Sequence, residues 1–260
     1  MEFEGKVAIV TGAAGGIGKA ITKQFVQNGA TVIAWDISSE IEKLAKELNQ
    51  EDEKKVIPQQ IDLKDIPNMK KQVDDIYKEF GRIDILVNNA GVMQTIRFME
   101  IDEQAWDHIL DINLKSVFFL IQAVGKYMIK QNSGSIVNIS SIAGRSGRPL
   151  AAHYSASKTG VLSVTKSAAL AFGEHGVRVN AICPGVIVTP MMDQINQERA
   201  RIFGKEGESD VAIQQFMQNI PLKELGYPKD IANTVVFLCS SKARYIHGQA
   251  LNVCGGYEMD

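Results

Sequence analysis

From end to end the chain alternates short apolar runs with longer stretches whose apolar residues recur at helical spacing. That alternation restricts the possible folds more than any other feature. The runs "KVAIV" (Lys6–Val10), "TVIAWD" (Thr31–Asp36), "KVIPQQID" (Lys55–Asp62), "IDILVNNAG" (Ile83–Gly91), "SIVNIS" (Ser135–Ser140), "VRVNAIC" (Val177–Cys183) and "GQALNVCGG" (Gly248–Gly256) read as strands. Helical patterns fill the intervals: one runs to about Asn28 and stops at Gly29, one covers Asp102–Lys130, and one covers about Ala152–Glu174. Near-continuous apolar strands separated by amphipathic helices predict βαβ units. The expected fold is therefore α/β: a three-layer, doubly wound, seven-stranded parallel sheet with helices on both faces.

At 260 residues the chain is expected to form a single domain spanning 1–260. One segment breaks the rhythm. Residues 188–221, "VTPMMDQINQERARIFGKEGESDVAIQQFMQNIP", are long, polar and rich in Met and Gln. An insertion of that length at a sheet end is expected to form a substrate lid.

Composition narrows the class of partner. Net charge is -2 and the sequence pI is about 6.1, so no positive field draws the chain to nucleic acid or to an anionic membrane. Cys183, Cys239 and Cys254 have neither metal nor redox spacing, and no His/Cys/carboxylate cluster suggests a metal. A reducing cytoplasm is the expected location. The N-terminus lacks the pattern of a secretory signal, and the strongly apolar stretch Val117–Val124 is too short to span a bilayer.

"TGAAGGIG" (Thr11–Gly18) follows the first strand and opens the first helix. Glycines there allow a tight turn and close approach of a pyrophosphate, whose charge the helix N-terminus stabilises. The glycines fall at 12, 15, 16 and 18, which is not the G-x-G-x-x-G spacing. Asp36 ends the second strand, 18 residues beyond Gly18. A carboxylate there can accept both ribose hydroxyls of an adenosine and would repel a 2′-phosphate. No Arg or Lys stands at 35, 37 or 38 to compensate, so NAD is expected over NADP. The other reading of Asp36 is a cap for the next helix. Asp62 and "NNAG" (Asn88–Gly91) end the third and fourth strands, at the same edge of the sheet, where open α/β folds bind ligands. As single residues they are also ordinary turn formers.

"YSASK" (Tyr154–Lys158) puts a tyrosine and a lysine at i and i+4 of a helix, about 5–6 Å apart between Cβ atoms. A free phenol has a pKa of about 10. An ammonium ~4 Å away, at an effective dielectric of about 20, attracts a phenolate by roughly 4 kcal/mol. That attraction could lower the phenol pKa by up to about three. The pair is thus a candidate acid–base device. His153, next to Tyr154, points in a different direction around the helix and is read as non-catalytic.

"TGAAGGIG", "NNAG", "YSASK" and Pro184–Gly185 occur in order, at spacings that resemble those of the short-chain dehydrogenase/reductase family, a Rossmann-fold family. The likeness runs from about Gly5 to Gly256. It implies a catalytic set of Asn113, Ser141, Tyr154 and Lys158. Ser141, 13 residues before Tyr154, is preferred to Ser140 and would fix the substrate oxygen. Asn113, in "DINLKSVF", would hold a water beside the lysine; the other reading is a helix-interior amide satisfying a local backbone break, and the two are compatible. The resemblance assigns to cofactor binding Gly12, Gly16, Ile17, Gly18, Asp36, Asp62, Leu63, Asn89, Ala90, Gly91, Tyr154, Lys158, Pro184, Gly185, Ile187 and Thr189. The implied reaction interconverts a secondary alcohol and a ketone with NAD(H).

For the substrate, the stretch from His153 through "TPMMDQI" looks most like the polyol and diol branch of the family, which includes sorbitol, galactitol and acetoin/butanediol enzymes. Alternatives are a hydroxysteroid (bile-acid) dehydrogenase, with Met191, Met192 and Met217 over an apolar ligand, and a 3-oxoacyl carrier-protein reductase. The latter enzymes more often use NADP, which Asp36 opposes. Arg145 and Arg148, just after Ser141, are candidates to hold an anionic substrate group, or are solvated loop residues. Ser141, Arg148 and Met191 complete the expected substrate contacts. A non-catalytic dinucleotide-binding protein is the reading from another class, and the complete catalytic set argues against it. The resemblance also implies a homotetramer or homodimer built on the helices after the fourth and fifth strands. Cys254 stands where the family more often has Asp, a departure that touches C-terminal packing or subunit contacts.

Overall fold

The computed structural model describes residues 1–49, 55–204 and 217–259. Seven strands form one fully parallel sheet in the order β3-β2-β1-β4-β5-β6-β7. They are β1 (Val7–Thr11), β2 (Thr31–Asp36), β3 (Val56–Gln60), β4 (Ile85–Asn88), β5 (Gly134–Ile139), β6 (Val177–Pro184) and β7 (Ala250–Val253). Their side chains alternate between two cores, as the strand period of two requires. On one face Ala8, Val10, Val32, Ala34, Ile85, Val87 and Val137 pack against Ile21 and Phe25 of helix α1 (Gly16–Gln27), against α2 (Glu40–Leu48), and against Ile231, Val235 and Leu238 of α8 (Pro228–Cys239). On the other face Ile9, Ile33, Trp35, Leu86 and Ile136 meet α3 (Ile66–Phe80), α5 (Ser116–Gln131) and α6 (Ala152–Phe172). This is the three-layer doubly wound α/β architecture that the alternating pattern predicts.

The order reverses between β1 and β4. Their C-terminal ends diverge into two loops, and a crevice opens between them, where such sheets bind ligands. The expected strands three, four and seven are longer than those observed. Asp62, Asn89, Gly91 and Gly248 lie outside the ladder, because the polar ends of these runs leave the sheet to form that crevice. At the opposite edge Asp84 ties β4 to β1. Its carboxylate accepts from Arg82 Nε at 2.7 Å and Nη2 at 2.6 Å, from Val7 N at 3.0 Å and from Lys6 Nζ at 3.2 Å.

The long helical pattern after β4 is interrupted. Helix α4 (Glu103–Leu110) and α5 are joined by a π turn over Asp111–Lys115, and within it Asn113 is fully buried. A π turn rotates the residues within it away from their α-helical bearings. Periodicity alone does not register it. The combined run Glu103–Gln131 has the length and hydropathy of a membrane span, a longer run than the apolar stretch taken from the sequence. Its residues Val117, Leu120, Ile121, Val124 and Met128 are packed into the core. The expected lid begins with α7 (Pro190–Phe203), and residues 205–216 of that segment lie outside the described residues.

Candidate active site

The crevice is an elongated cleft of about 840 Å³. One end is built by the loop after β1. Gly12 has φ +62, and a Cβ there would meet the Ala90 backbone at 2.8 Å; a Cβ on Gly18 would collide with the Gly12 carbonyl. The turn therefore requires glycine at both positions. Helix α1 starts at Gly16 with its N-terminus on the cleft, and its cap, Gly15, supplies no side-chain acceptor, so the first N–H groups are left for a ligand. The neighbouring loop is locked to this one. Thr11 Oγ1 accepts from Asn89 N and Ala90 N at 3.0 Å each, and Asn89 Nδ2 donates to the carbonyls of Thr11 (3.0 Å) and Gly12 (3.1 Å).

Asp36 sits at the same end. Its Oδ2 accepts from Ala14 N and its Oδ1 from Ser38 N, both at 2.9 Å, so the carboxylate is oriented by the glycine loop itself. It does not cap α2, whose N-cap residue is Ser39. Asp62 Oδ1 accepts from Lys64 N at 2.9 Å, the turn-former geometry, and still lines the cleft with Leu63. Of the residues expected to bind a cofactor, Gly12, Gly16, Ile17, Gly18, Asp36, Asp62, Leu63, Asn89, Ala90, Gly91, Tyr154, Lys158, Pro184, Gly185, Ile187 and Thr189 all line this one cleft. The glycine cradle, the open helix N-terminus and a fixed carboxylate fit a dinucleotide.

At the other end β5 delivers Ser140 and Ser141, and α6 delivers Tyr154 and Lys158. The two serines are used differently. Ser140 Oγ donates to the Lys158 carbonyl at 2.8 Å and anchors α6. Ser141 Oγ accepts from Ala143 N at 3.0 Å, which leaves its O–H to donate into the cleft. Asn113 does not line the cleft. Its Oδ1 accepts from Val92 N (2.9 Å) and its Nδ2 donates to Val92 O (2.8 Å) and Ser157 Oγ (3.3 Å). Its side chain thus holds the loop after β4 against the π turn, as the structural reading expects, and this leaves the water-holding reading open beside it.

The Tyr154–Lys158 electrostatics differ from the expectation. Lys158 Nζ lies 5.8 Å from the Tyr154 ring centroid and donates to Ile139 O at 2.9 Å. Burial pushes the Tyr154 phenol up from its usual range, and a hydrogen bond from Ser141 only opposes this. Burial pulls Lys158 down to about 8. Both groups are buried, desolvation penalises both charged forms, and no attraction between the two contributes to either shift. In this state the pair is a neutral phenol beside a readily deprotonated amine.

His153 is fully buried on α6, off the cleft, with neither ring nitrogen hydrogen-bonded among the described residues; burial lowers its pKa.

The arginines separate. Arg145 does not reach the substrate end: Nε donates to Asn252 Oδ1 at 3.1 Å and Nη2 to Ala250 O at 2.5 Å, which ties the Ser141 loop to β7. Of the two readings given for Arg145, neither the anion holder nor the solvated loop residue describes this part-buried tie to β7. Arg148 does line the cleft, with Met191, Met192 and Ile195 of α7. Met217 is not among the lining residues. The sequence reading missed Met93, Leu150 and Tyr257, which also line it. Tyr257 arrives there because the chain turns back after β7. An aromatic residue directly after "CGG" was the available sign, and Cys254 had pointed to C-terminal packing and not to the cleft.

The family model described as enoyl-(acyl carrier protein) reductase matches residues 12–258. The chain is 42% identical over 257 residues to a 3-oxoacyl-(acyl-carrier-protein) reductase FabG of Thermotoga maritima, covering 98% of this chain and 99% of the relative. It is 40% identical to the protein of that name from Staphylococcus aureus (strain Mu50), covering 98% of each. The crystal structure of levodione reductase superposes with a TM-score of 0.92 at 31% identity, over 98% of both chains. The names of these carrier-protein relatives lie outside the polyol and diol branch. The matched span, the level of identity and the glycine-loop cleft agree: the chain belongs to the short-chain dehydrogenase/reductase family, whose members are oxidoreductases that bind a nicotinamide dinucleotide.

Proposed function

We propose that this protein is an NADH-linked reductase of 3-oxoacyl thioesters, converting the 3-ketone to a secondary alcohol. The observation that carries the reading is the apolar wall of Met93, Leu150, Met191, Met192 and Ile195 in the same cleft as Ser141 and Tyr154, which suits an alkyl chain. The names of the curated relatives support the same substrate, while the choice of NADH rests on Asp36 against those relatives' usual NADP. The polyol and diol reading is the weaker one because the names of the curated relatives lie outside that branch.

The glycine loop and the N-terminus of α1 would hold the pyrophosphate, and Asp36 the adenosine ribose. Asp62, Leu63 and Asn89–Gly91 would line the adenosine side, and Pro184, Gly185, Ile187 and Thr189 the nicotinamide side. The cofactor, when bound, supplies hydride to the carbonyl carbon. Ser141 donates a hydrogen bond to the carbonyl oxygen, and Tyr154 delivers the proton that completes the alcohol. A phenol whose pKa is raised by burial remains protonated at neutral pH, the state a proton donor needs. Lys158, with a pKa of about 8, lies close enough to working pH to return that proton. Asn113 acts on this chemistry by fixing the Val92 loop.

The test is NADH oxidation by the purified protein with 3-oxoacyl thioesters of several chain lengths, run beside sorbitol, butanediol and hydroxysteroids with NAD. The reading predicts the highest kcat/KM for a thioester. A higher value for any polyol or steroid overturns it.

A further inference from the structure

Beyond the catalytic end, the C-terminal segment is stapled to the loop that carries Ser141. Cys254 Sγ accepts from Glu258 N at 3.4 Å and donates to Glu258 O at 3.3 Å, while Asn252 Nδ2 donates to the same carbonyl at 3.1 Å. This turn places the Glu258 carboxylate where Ser146 Oγ donates to it at 2.9 Å. Arg148 Nη1 donates to Ser146 Oγ at 3.0 Å, and the guanidinium lies 5.9 Å from the Tyr257 ring centroid. Arg148 and Tyr257 both line the cleft.

Arg148 Nη2 is buried and has no hydrogen-bond partner among the described residues. Its ion pair with Glu258 Oε2 spans 3.9 Å, too long for a hydrogen bond. Nη2 itself is covered, but the Arg148 side chain is 30% exposed and lines the cleft, and a cationic N–H brought there needs an acceptor. Because Glu258 already balances the arginine charge, the acceptor that fits is a neutral oxygen and not an anion.

We infer that the segment Cys254–Glu258 is a working part of the substrate site: Tyr257 forms a wall, and Glu258, with Ser146, sets Arg148 to donate to a second, neutral carbonyl oxygen of the substrate. The inference rests on the reading of this cleft as a ketone reductase. It names the substrate class as ketones that carry a further uncharged carbonyl, of which a 3-oxoacyl thioester is one. Arg148 is then a specificity-determining residue, and Glu258 a positioning residue that acts through it.

The experiment compares kcat/KM for paired ketones in wild type, Arg148→Met and Glu258→Gln. One pair is a 3-oxohexanoyl thioester and an alkanone of equal length; the other is 1,4-cyclohexanedione and cyclohexanone. The expected result is a preference of about tenfold or more for the member with the second carbonyl, the order that one hydrogen bond from a charged group supplies, falling toward one in Arg148→Met. In Glu258→Gln, acetoacetate, which carries a carboxylate, should gain on the neutral thioester by about tenfold. NADH affinity, read by fluorescence, should change little in either variant. A loss that is equal for both members of a pair marks a structural role and overturns the inference, as does a wild-type ratio near one. Reduction of the cyclic pair without any thioester turnover overturns the thioester reading alone, and the cyclic ratio then decides the inference. No turnover of either pair overturns both.

Discussion

The perturbation that separates two cofactors most cleanly is at Asp36. Its carboxylate is fixed by two backbone N–H groups at 2.9 Å, from the glycine loop and from the turn after β2, so it cannot swing away from a ligand without breaking both bonds. A 2′-phosphate placed ~4 Å from it, at an effective dielectric of about 20, would be repelled by about 4 kcal/mol per unit charge. Solvent at the open adenosine end should roughly halve that, leaving about 2 kcal/mol, or roughly thirtyfold in kcat/KM. The assay is the ratio of kcat/KM for NADH over NADPH with one common ketone. Wild type should favour NADH by about thirtyfold or more, Asp36→Ser should approach parity, and Asp36→Ser with Ile37→Arg should favour NADPH. The preference should also shrink as ionic strength rises, since the opposing charges are partly exposed. Wild-type use of NADPH on equal terms would refute the reasoning and reduce Asp36 to a residue that merely braces the loop.

Lys158 is held below its usual pKa by burial, at about 8 against 10.5, so the fold disfavours its charged form. The unfolded state binds the extra proton between those values, and wild-type stability should rise from about pH 8 toward pH 10.5; Lys158→Met should flatten that rise and gain about 1–3 kcal/mol near pH 7, both read by chemical denaturation. Asp84 carries the opposite sign: burial pushes its carboxyl up, but Arg82, the Val7 N–H and Lys6 outweigh it and the net shift is down. Its contribution is therefore present at neutral pH and lost as pH falls through the depressed pKa, and Asp84→Asn should cost about 1–3 kcal/mol at pH 7 and progressively less in acid. Phe118 on α5 is 46% exposed and Leu170 on α6 is 88% exposed; if these helices form the subunit interface, Leu170→Glu with Phe118→Glu should convert a tetramer or dimer to smaller species in sedimentation velocity, and an unchanged mass would exclude that face.

The strands were legible because a parallel strand covered on both faces must be apolar throughout. "VAIV" and "ILV" admit few other readings, and only their polar ends were misjudged. The glycine loop, Asp36 and the Tyr154–Lys158 pair were legible for a different reason. Each is a local pattern whose position after a strand or along a helix fixes where it must lie. What stayed hidden depends on contacts distant in sequence. Nothing near Arg145 announces Asn252 and Ala250 as its partners, 105 or more positions away. Tyr257 is remote from the catalytic motifs in sequence and joins the cleft only through the turn held by Cys254 and Glu258. The π turn at Asn113 adds no residue type that a periodicity can register. The Tyr154–Lys158 spacing gives proximity but not burial, and burial sets the direction of both shifts.

The central claim is that Tyr154 delivers the proton to a ketone oxygen in a cleft that binds NADH. Tyr154→Phe removes only the hydroxyl and keeps the ring in its buried site. Measured together on that variant, kcat/KM for ketone reduction should fall by about 10²–10⁴-fold while the NADH Kd from fluorescence titration stays within about twofold. Reduction by Tyr154→Phe within about tenfold of wild type, with NADH binding intact, would contradict the account, because proton delivery would then belong to another group.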